Sequence, residues 1–137
     1  MARIIGIDYG QKRVGIAVTD PLKIGASGLT TVGSHEVLQY LENYFAKESV
    51  DCIVVGWPLR MNNTDSESLV YVKQFVTALG RKFPDMRIEL LDERFTSKMA
   101  VQAMISGGMK KSERMKKENI DKMSAAIILQ SFLEKEN

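Results

Sequence analysis

The chain has 137 residues, 45% of them hydrophobic and 26% charged, with a formal net charge of +2 and a single cysteine, Cys52. That size predicts one domain with a core of its own, and one cysteine excludes an intrachain disulfide or a cysteine-built zinc site. No apolar run approaches the roughly 20 residues of a membrane span, and MARIIGID lacks the long apolar stretch of a signal peptide, so a reducing, cytoplasmic location is expected.

RIIGID predicts a short first strand over about residues 3–8. Gly10 and Gln11 mark a turn, and RVGIAVTD reads as an antiparallel return strand that Asp20-Pro21 ends. GASGLTTV supplies a weaker third strand, and Ser34 is expected to N-cap a helix over roughly 35–48, with Val37, Leu38, Leu41 and Phe45 at helical spacing. CIVVG, residues 52–56, is apolar throughout, the pattern of a strand covered on both faces. After the loop WPLRMNN, Thr64-Asp65-Ser66-Glu67 forms a capping box. The helix it starts is expected to reach about Gly80, with Leu69, Val72, Phe75, Val76 and Leu79 inward. MRIELL makes a fifth strand, and Thr96 or Ser97 begins a helix that ends near Gly107-Gly108. A last helix is expected from about 120 to 134.

The order βββαβαβαα predicts an α/β domain, an antiparallel meander extended by β–α crossovers into a mixed sheet with helices on its faces. Such sheets bind ligands outside the carboxyl ends of their parallel strands, where strand order reverses. Asp8, Gly56-Trp57-Pro58 and Asp92-Glu93 all stand at ends of that kind. Asp121 opens the final helix, and helical steps from it reach Ala125, Ile128 and Phe132, so it is expected on the core side. Strand alternation allows only one of Asp92 and Glu93 to point toward Asp8, without deciding which.

Carboxylates gathered at one edge repel one another, and a divalent cation compensates. All-oxygen ligands suit Mg²⁺ or Mn²⁺, and two such ions roughly 4 Å apart can activate a water and stabilise the leaving oxygen in phosphodiester cleavage. Each acid also has a structural reading: Asp121 can complement the helix dipole, Asp92 can pair with Arg94, and Asp8 can accept hydrogen bonds in the hairpin turn.

The basic charge is local. Residues 110–122, KKSERMKKENIDK, hold six Lys or Arg against three acids, whereas the rest of the chain is slightly acidic. A loop of that kind can neutralise phosphates or simply be a solvated connector.

Four blocks, GIDYGQKRVGIAVTD (6–20), VVGWPLRMNNT (54–64), LLDERFTS (90–97) and IDKMSAAIILQSFL (120–133), resemble in order those of the YqgF family of RuvX-type Holliday junction resolvases, within the ribonuclease H-like superfamily. The resemblance spans almost the whole chain. It implies a ribonuclease H-like fold with sheet order 3-2-1-4-5 and a Mg²⁺- or Mn²⁺-dependent nuclease site of Asp8, Glu93 and Asp121. It is the DER block that selects Glu93 over Asp92. Family members are described as maturing the 5′ end of precursor 16S ribosomal RNA, and earlier as junction resolvases. The chain departs from the family at Asn63, usually Gly. Asn tolerates the left-handed turn conformation, and the departure bears on backbone approach to substrate at that loop.

Lys12 and Arg13, just past Asp8, and Arg60, after the fourth strand, are candidate phosphate contacts, Arg being suited to bidentate binding. Lys110, Lys111, Arg114, Lys116 and Lys117 complete the candidate nucleic-acid contacts. Arg94 can orient Glu93 by an ion pair. Trp57 can stack on an unpaired base or anchor its loop. His35, the sole histidine, reads as a surface residue, so a histidine base is not expected. Thr96 and Ser97 read as caps, and the methionines around the last two helices as adaptable core filler.

The expected function is therefore a metal-dependent endonuclease, with precursor ribosomal RNA the first substrate and branched DNA the second. An actin-like ATPase would need a second facing domain, and a silent RNA- or ribosome-binding factor would bind without cutting. Trimming one RNA strand needs a single active site, which a monomer supplies, whereas junction resolution needs the paired sites of a two-fold homodimer.

Overall fold

The computed structural model of the chain describes residues 2–57, 68–92 and 117–136. Strand β1 (Arg3–Tyr9) leads to β2 (Arg13–Thr19), β3 (Ala26–Gly33), helix α1 (Val37–Lys47) and β4 (Val50–Trp57). Helix α2 (Ser68–Lys82), strand β5 (Arg87–Asp92) and helix α3 (Lys117–Glu136) follow. The strands form one sheet in the order β3-β2-β1-β4-β5. It is antiparallel across β3-β2-β1 and parallel across β1-β4-β5, the mixed sheet and the order expected. The capping box at 64–67 and the helix expected from Thr96 or Ser97 to Gly108 lie outside the described residues.

Alternation along each strand divides the core in two. Ile5, Ile7, Val14, Ile16, Ile53 and Val55 pack with Val37 and Leu41 of α1 and with Val72, Phe75 and Leu79 of α2. Ile4, Ala17, Cys52 and Val54 face the other way, against Ala125, Ile128, Leu129 and Phe132 of α3. Strands covered on both faces have no polar side to show, which is why β1, β2 and β4 read as nearly unbroken apolar runs. Tyr9 stacks on Phe75 with ring centroids 4.4 Å apart, fixing the carboxyl end of β1 to α2.

Helix α3 sits unusually close to its face of the sheet. A Cβ on Gly6 would lie 2.8 Å from the Leu129 Cβ and 2.9 Å from the Ala125 carbonyl oxygen. One on Gly15 would collide with the backbone carbonyl of Asp121. The glycines form a trough across β1 and β2 in which the helix backbone rests, an approach that only the missing side chain permits.

Two local expectations are corrected. Helix α1 starts at Val37 after Glu36, with no side-chain cap, rather than from a Ser34 cap. The Ser34 hydroxyl instead donates to the Gln11 carbonyl at 2.6 Å, and its amide donates to the Lys12 carbonyl at 3.1 Å. Ser34 thus ties the entry to α1 onto the β1–β2 turn, a partner 23 residues away that no local rule anticipates. The second correction concerns Asp121, which lies beyond the first turn of its helix because α3 begins at Lys117. The helix-dipole role, which fades after the first turn, therefore explains it less well.

Candidate active site

Asp8 is the sixth residue of β1 and lies opposite Gly15 of β2. Directly opposed residues project to the same face of a sheet. For this pair it is the α3 face, because Ile4, two ladder steps back, packs against that helix. The Asp121 backbone rests on Gly15 at the same point, its Cβ 3.0 Å from where a Gly15 Cβ would stand. The Cβ atoms of Asp8 and Asp121 are therefore no more than about 8.5 Å apart, on the same face of the sheet. The helical line from Asp121 through Ala125, Ile128 and Phe132 is buried as expected.

Arg13 completes the described cluster. It alternates with Gly15 onto the α3 face, and its Nε donates to Oδ2 of Asp121 at 3.1 Å. Both side chains are half-buried, 39% and 23% exposed. Lys12 is exposed in the hairpin turn and its carbonyl accepts from Ser34. The structure thus separates the two adjacent cations, one drawn into the site and one left at the surface.

The alternation of β5 decides what was open for Asp92. Arg87 lies over the Phe132 ring of α3, 5.8 Å from its centroid, and Leu91 packs on the same cluster. Ile88 packs on the opposite cluster, and Asp92 shares its face. Asp92 therefore points away from the side that carries Asp8 and Asp121. Its ladder partner Trp57 is half-buried against the α1–α2 core, as an anchor would be. Glu93, Arg94, Arg60, Asn63, Lys110, Lys111, Arg114, Lys116 and the side chain of Lys117 lie outside the described residues. Among the described residues no three His, Cys, Asp or Glu come together as a metal site. His35 is exposed, as expected, beside Glu36.

Sequence reading missed the role of Gly15 and of Ser124. The Ser124 hydroxyl, one turn after Asp121, is fully buried and has no hydrogen-bond partner among the described residues. Gly15 had a visible signal, a glycine inside an apolar strand, which often marks close approach of another backbone.

A family model for RuvX, described as Holliday junction resolvase, matches residues 2–135. The chain belongs to the RuvX family. A relative from Christiangramia forsetii, named "Putative pre-16S rRNA nuclease", is 54% identical over 133 residues, 97% of this chain and 98% of that protein. A relative of the same name from Phocaeicola vulgatus is 52% identical over 98% of this chain and 96% of that one. Among solved structures, RuvC of Thermus thermophilus in complex with a Holliday junction substrate superposes with a TM-score of 0.55 at 16% identity, covering 100% of this chain and 97% of that one. That likeness establishes the ribonuclease H-like fold. RuvX is a family of nucleases, so the chain is a hydrolase of phosphodiester bonds and nucleic acid is its partner. No described helix is long and apolar enough to cross a membrane.

The fold and the family point to a divalent cation, and the described residues fit one. Asp8 and Asp121 offer hard oxygen ligands on one side of the sheet, the donor set that suits Mg²⁺ or Mn²⁺ rather than a softer metal.

Proposed function

We infer that the chain cleaves precursor 16S ribosomal RNA during maturation of its 5′ end, at a site in which Asp8, Asp121 and Glu93 hold Mg²⁺ or Mn²⁺. The observation that supports the site is that Asp8 and Asp121 stand on the same face of the sheet, each beside Gly15. The substrate is carried by the identity of about half of all positions with relatives named for that RNA. Glu93 is included because the resemblance of the LLDERFTS block implies it, and its alternative, Asp92, is turned to the far face.

The roles of the chain's own groups follow. A cation bound there would lower the barrier by polarising the phosphoryl oxygens and activating water. Asp8 stands at the end of a strand buried on both faces, and Asp121 on a helix wedged against the sheet, so little backbone movement accompanies binding. The terminal nitrogens of Arg13 are placed to receive a phosphate oxygen, since Nε alone is used on Asp121. Lys12, Arg60, Lys110, Lys111, Arg114, Lys116 and Lys117 hold the strand through its phosphates without reading sequence. Hydrolysis breaks the bond from phosphorus to the 3′ oxygen, leaving a 5′-phosphate and a 3′-hydroxyl.

The test is cleavage of end-labelled precursor 16S RNA and of a four-way DNA junction, each with Mg²⁺, Mn²⁺ or EDTA, by the intact chain and by Asp8→Asn. Metal-dependent cutting of the RNA, lost in the variant, is the expected result. The junction being cut instead would favour the activity in the family's description, and cutting of neither, with RNA binding unchanged in the variant, would point to a silent binding factor.

A further inference from the structure

We propose that Arg13 competes with the divalent cation for Asp121, serving as a built-in counter-ion of the site. The proposal rests on Asp121 being a ligand. Four observations support it. First, the Arg13 backbone is held firmly: its carbonyl accepts from the Gly10 amide at 2.9 Å, and it faces Gly33 across the β2–β3 ladder. Second, the contact with Asp121 is made by Nε at 3.1 Å, a single point rather than the two-pronged grip of which a guanidinium is capable. Among the described residues no other partner engages the terminal nitrogens. Third, the arginine is 39% exposed, so its charged end can swing toward solvent while its backbone stays in place. Fourth, the main chain of Asp121 needs no arginine to hold it, because it is wedged on Gly15.

Two effects of Arg13 on cation binding oppose each other. An outer partner that orients a ligand usually raises metal affinity, and its loss weakens binding by roughly 10- to 100-fold. A guanidinium does the reverse on charge: it occupies a lone pair of Oδ2 and repels a divalent ion placed beside the same carboxylate. With Asp121 fixed by packing, the orienting gain is small and the repulsion dominates. The cation must therefore displace Arg13 from Asp121, and the released guanidinium is then available to a phosphate of the bound strand. Arg13 would link occupation of the site to gripping of the substrate.

The experiment is calorimetric titration of Mn²⁺ into the full chain without nucleic acid, for the native protein and for Arg13→Gln, Arg13→Met, Arg13→Lys and Asp121→Asn. Arg13→Met keeps the aliphatic stem over the sheet should the Gln variant pack poorly. Both neutral variants are expected to bind Mn²⁺ about 3- to 30-fold more tightly, as removal of a like charge roughly 4–12 Å away in a solvent-exposed, water-like dielectric implies. Arg13→Lys, which keeps the charge, should stay within about threefold of the native protein. Asp121→Asn should lose most of the binding. Equal or weaker binding by the neutral variants, with Asp121→Asn still deficient, overturns the role of Arg13 and leaves the site intact. Tightening in Arg13→Lys equal to that in Arg13→Gln overturns it too, because charge is then not the cause. Native-like binding by Asp121→Asn overturns the site itself.

Discussion

At the scale of the residue, Gly15 carries the most consequence for the least mass. A methyl group there meets the Asp121 backbone, and a helix carbonyl cannot step aside as a flexible side chain can. Overpacking of this kind costs about 1–3 kcal/mol and sometimes more. Gly28 of β3 is a gentler case, since its Cβ would lie 3.1 Å from the Lys122 Cβ and 3.3 Å from the Lys122 carbonyl oxygen. The unfolded-state gain from replacing glycine, about 0.4–1 kcal/mol, offsets part of that crowding. Gly15→Ala should therefore lower the thermal midpoint markedly and weaken Mn²⁺ binding, whereas Gly28→Ala should move the midpoint little. Thermal denaturation of the two variants side by side checks this, and equal shifts would remove the wedge as an explanation of how Asp121 is placed.

At the scale of the element, α3 joins stability to the site. Its inner stripe of Ala125, Ile128, Leu129 and Phe132 seals one face of the sheet, and Asp121 stands at the head of that stripe. Ser124 interrupts it with a hydroxyl buried without a partner among the described residues, a condition that costs about 1–3 kcal/mol. Ser124→Ala removes the orphan and adds a better helix former, so it should raise the thermal midpoint or leave it unchanged. A clear fall would show that the hydroxyl is satisfied by a bound water or by the site. On the opposite face, Leu41 of α1 is fully buried in the cluster with α2. Leu41→Ala should cost about 2–5 kcal/mol in denaturant unfolding while leaving Mn²⁺ affinity unchanged, because Asp8 and Asp121 stand on the other face of the sheet.

At the scale of the whole molecule, a near-neutral domain carries a basic segment whose five cationic residues between 110 and 117 are proposed to meet phosphates. Each contact to a single strand contributes a slope of about −0.7 in the logarithm of affinity against that of salt, so this segment should contribute about −3.5 to the slope for single-stranded RNA if all five engage. Replacing Lys110 and Lys111 by Gln should reduce the slope by about 1.4, with the loss felt equally by unrelated RNA sequences. A fluorescence titration across a salt series measures it. An unchanged slope would make this segment a solvated connector after all.

Much of this was legible before any fold was known. Short β-rich runs marked β1 and β2 as strands, the apolar run CIVVG marked β4 as a strand covered on both faces, helical spacing aligned Asp121 with the buried face of α3, and the strand order followed from the family's blocks. These signals are short-range: periods of two and 3.6 residues and glycine-marked turns are set by backbone geometry within a few residues. The tertiary structure alone decided three things. It turned Asp92 away from the acids, it gave Ser34 to the hairpin turn rather than to α1, and it paired Arg13 with Asp121 across 108 residues of chain. The physical reason is common to all three. A side chain's partner depends on which elements the sheet order and the depth of the glycine trough bring together, and neither is encoded within a turn or two of the residue concerned.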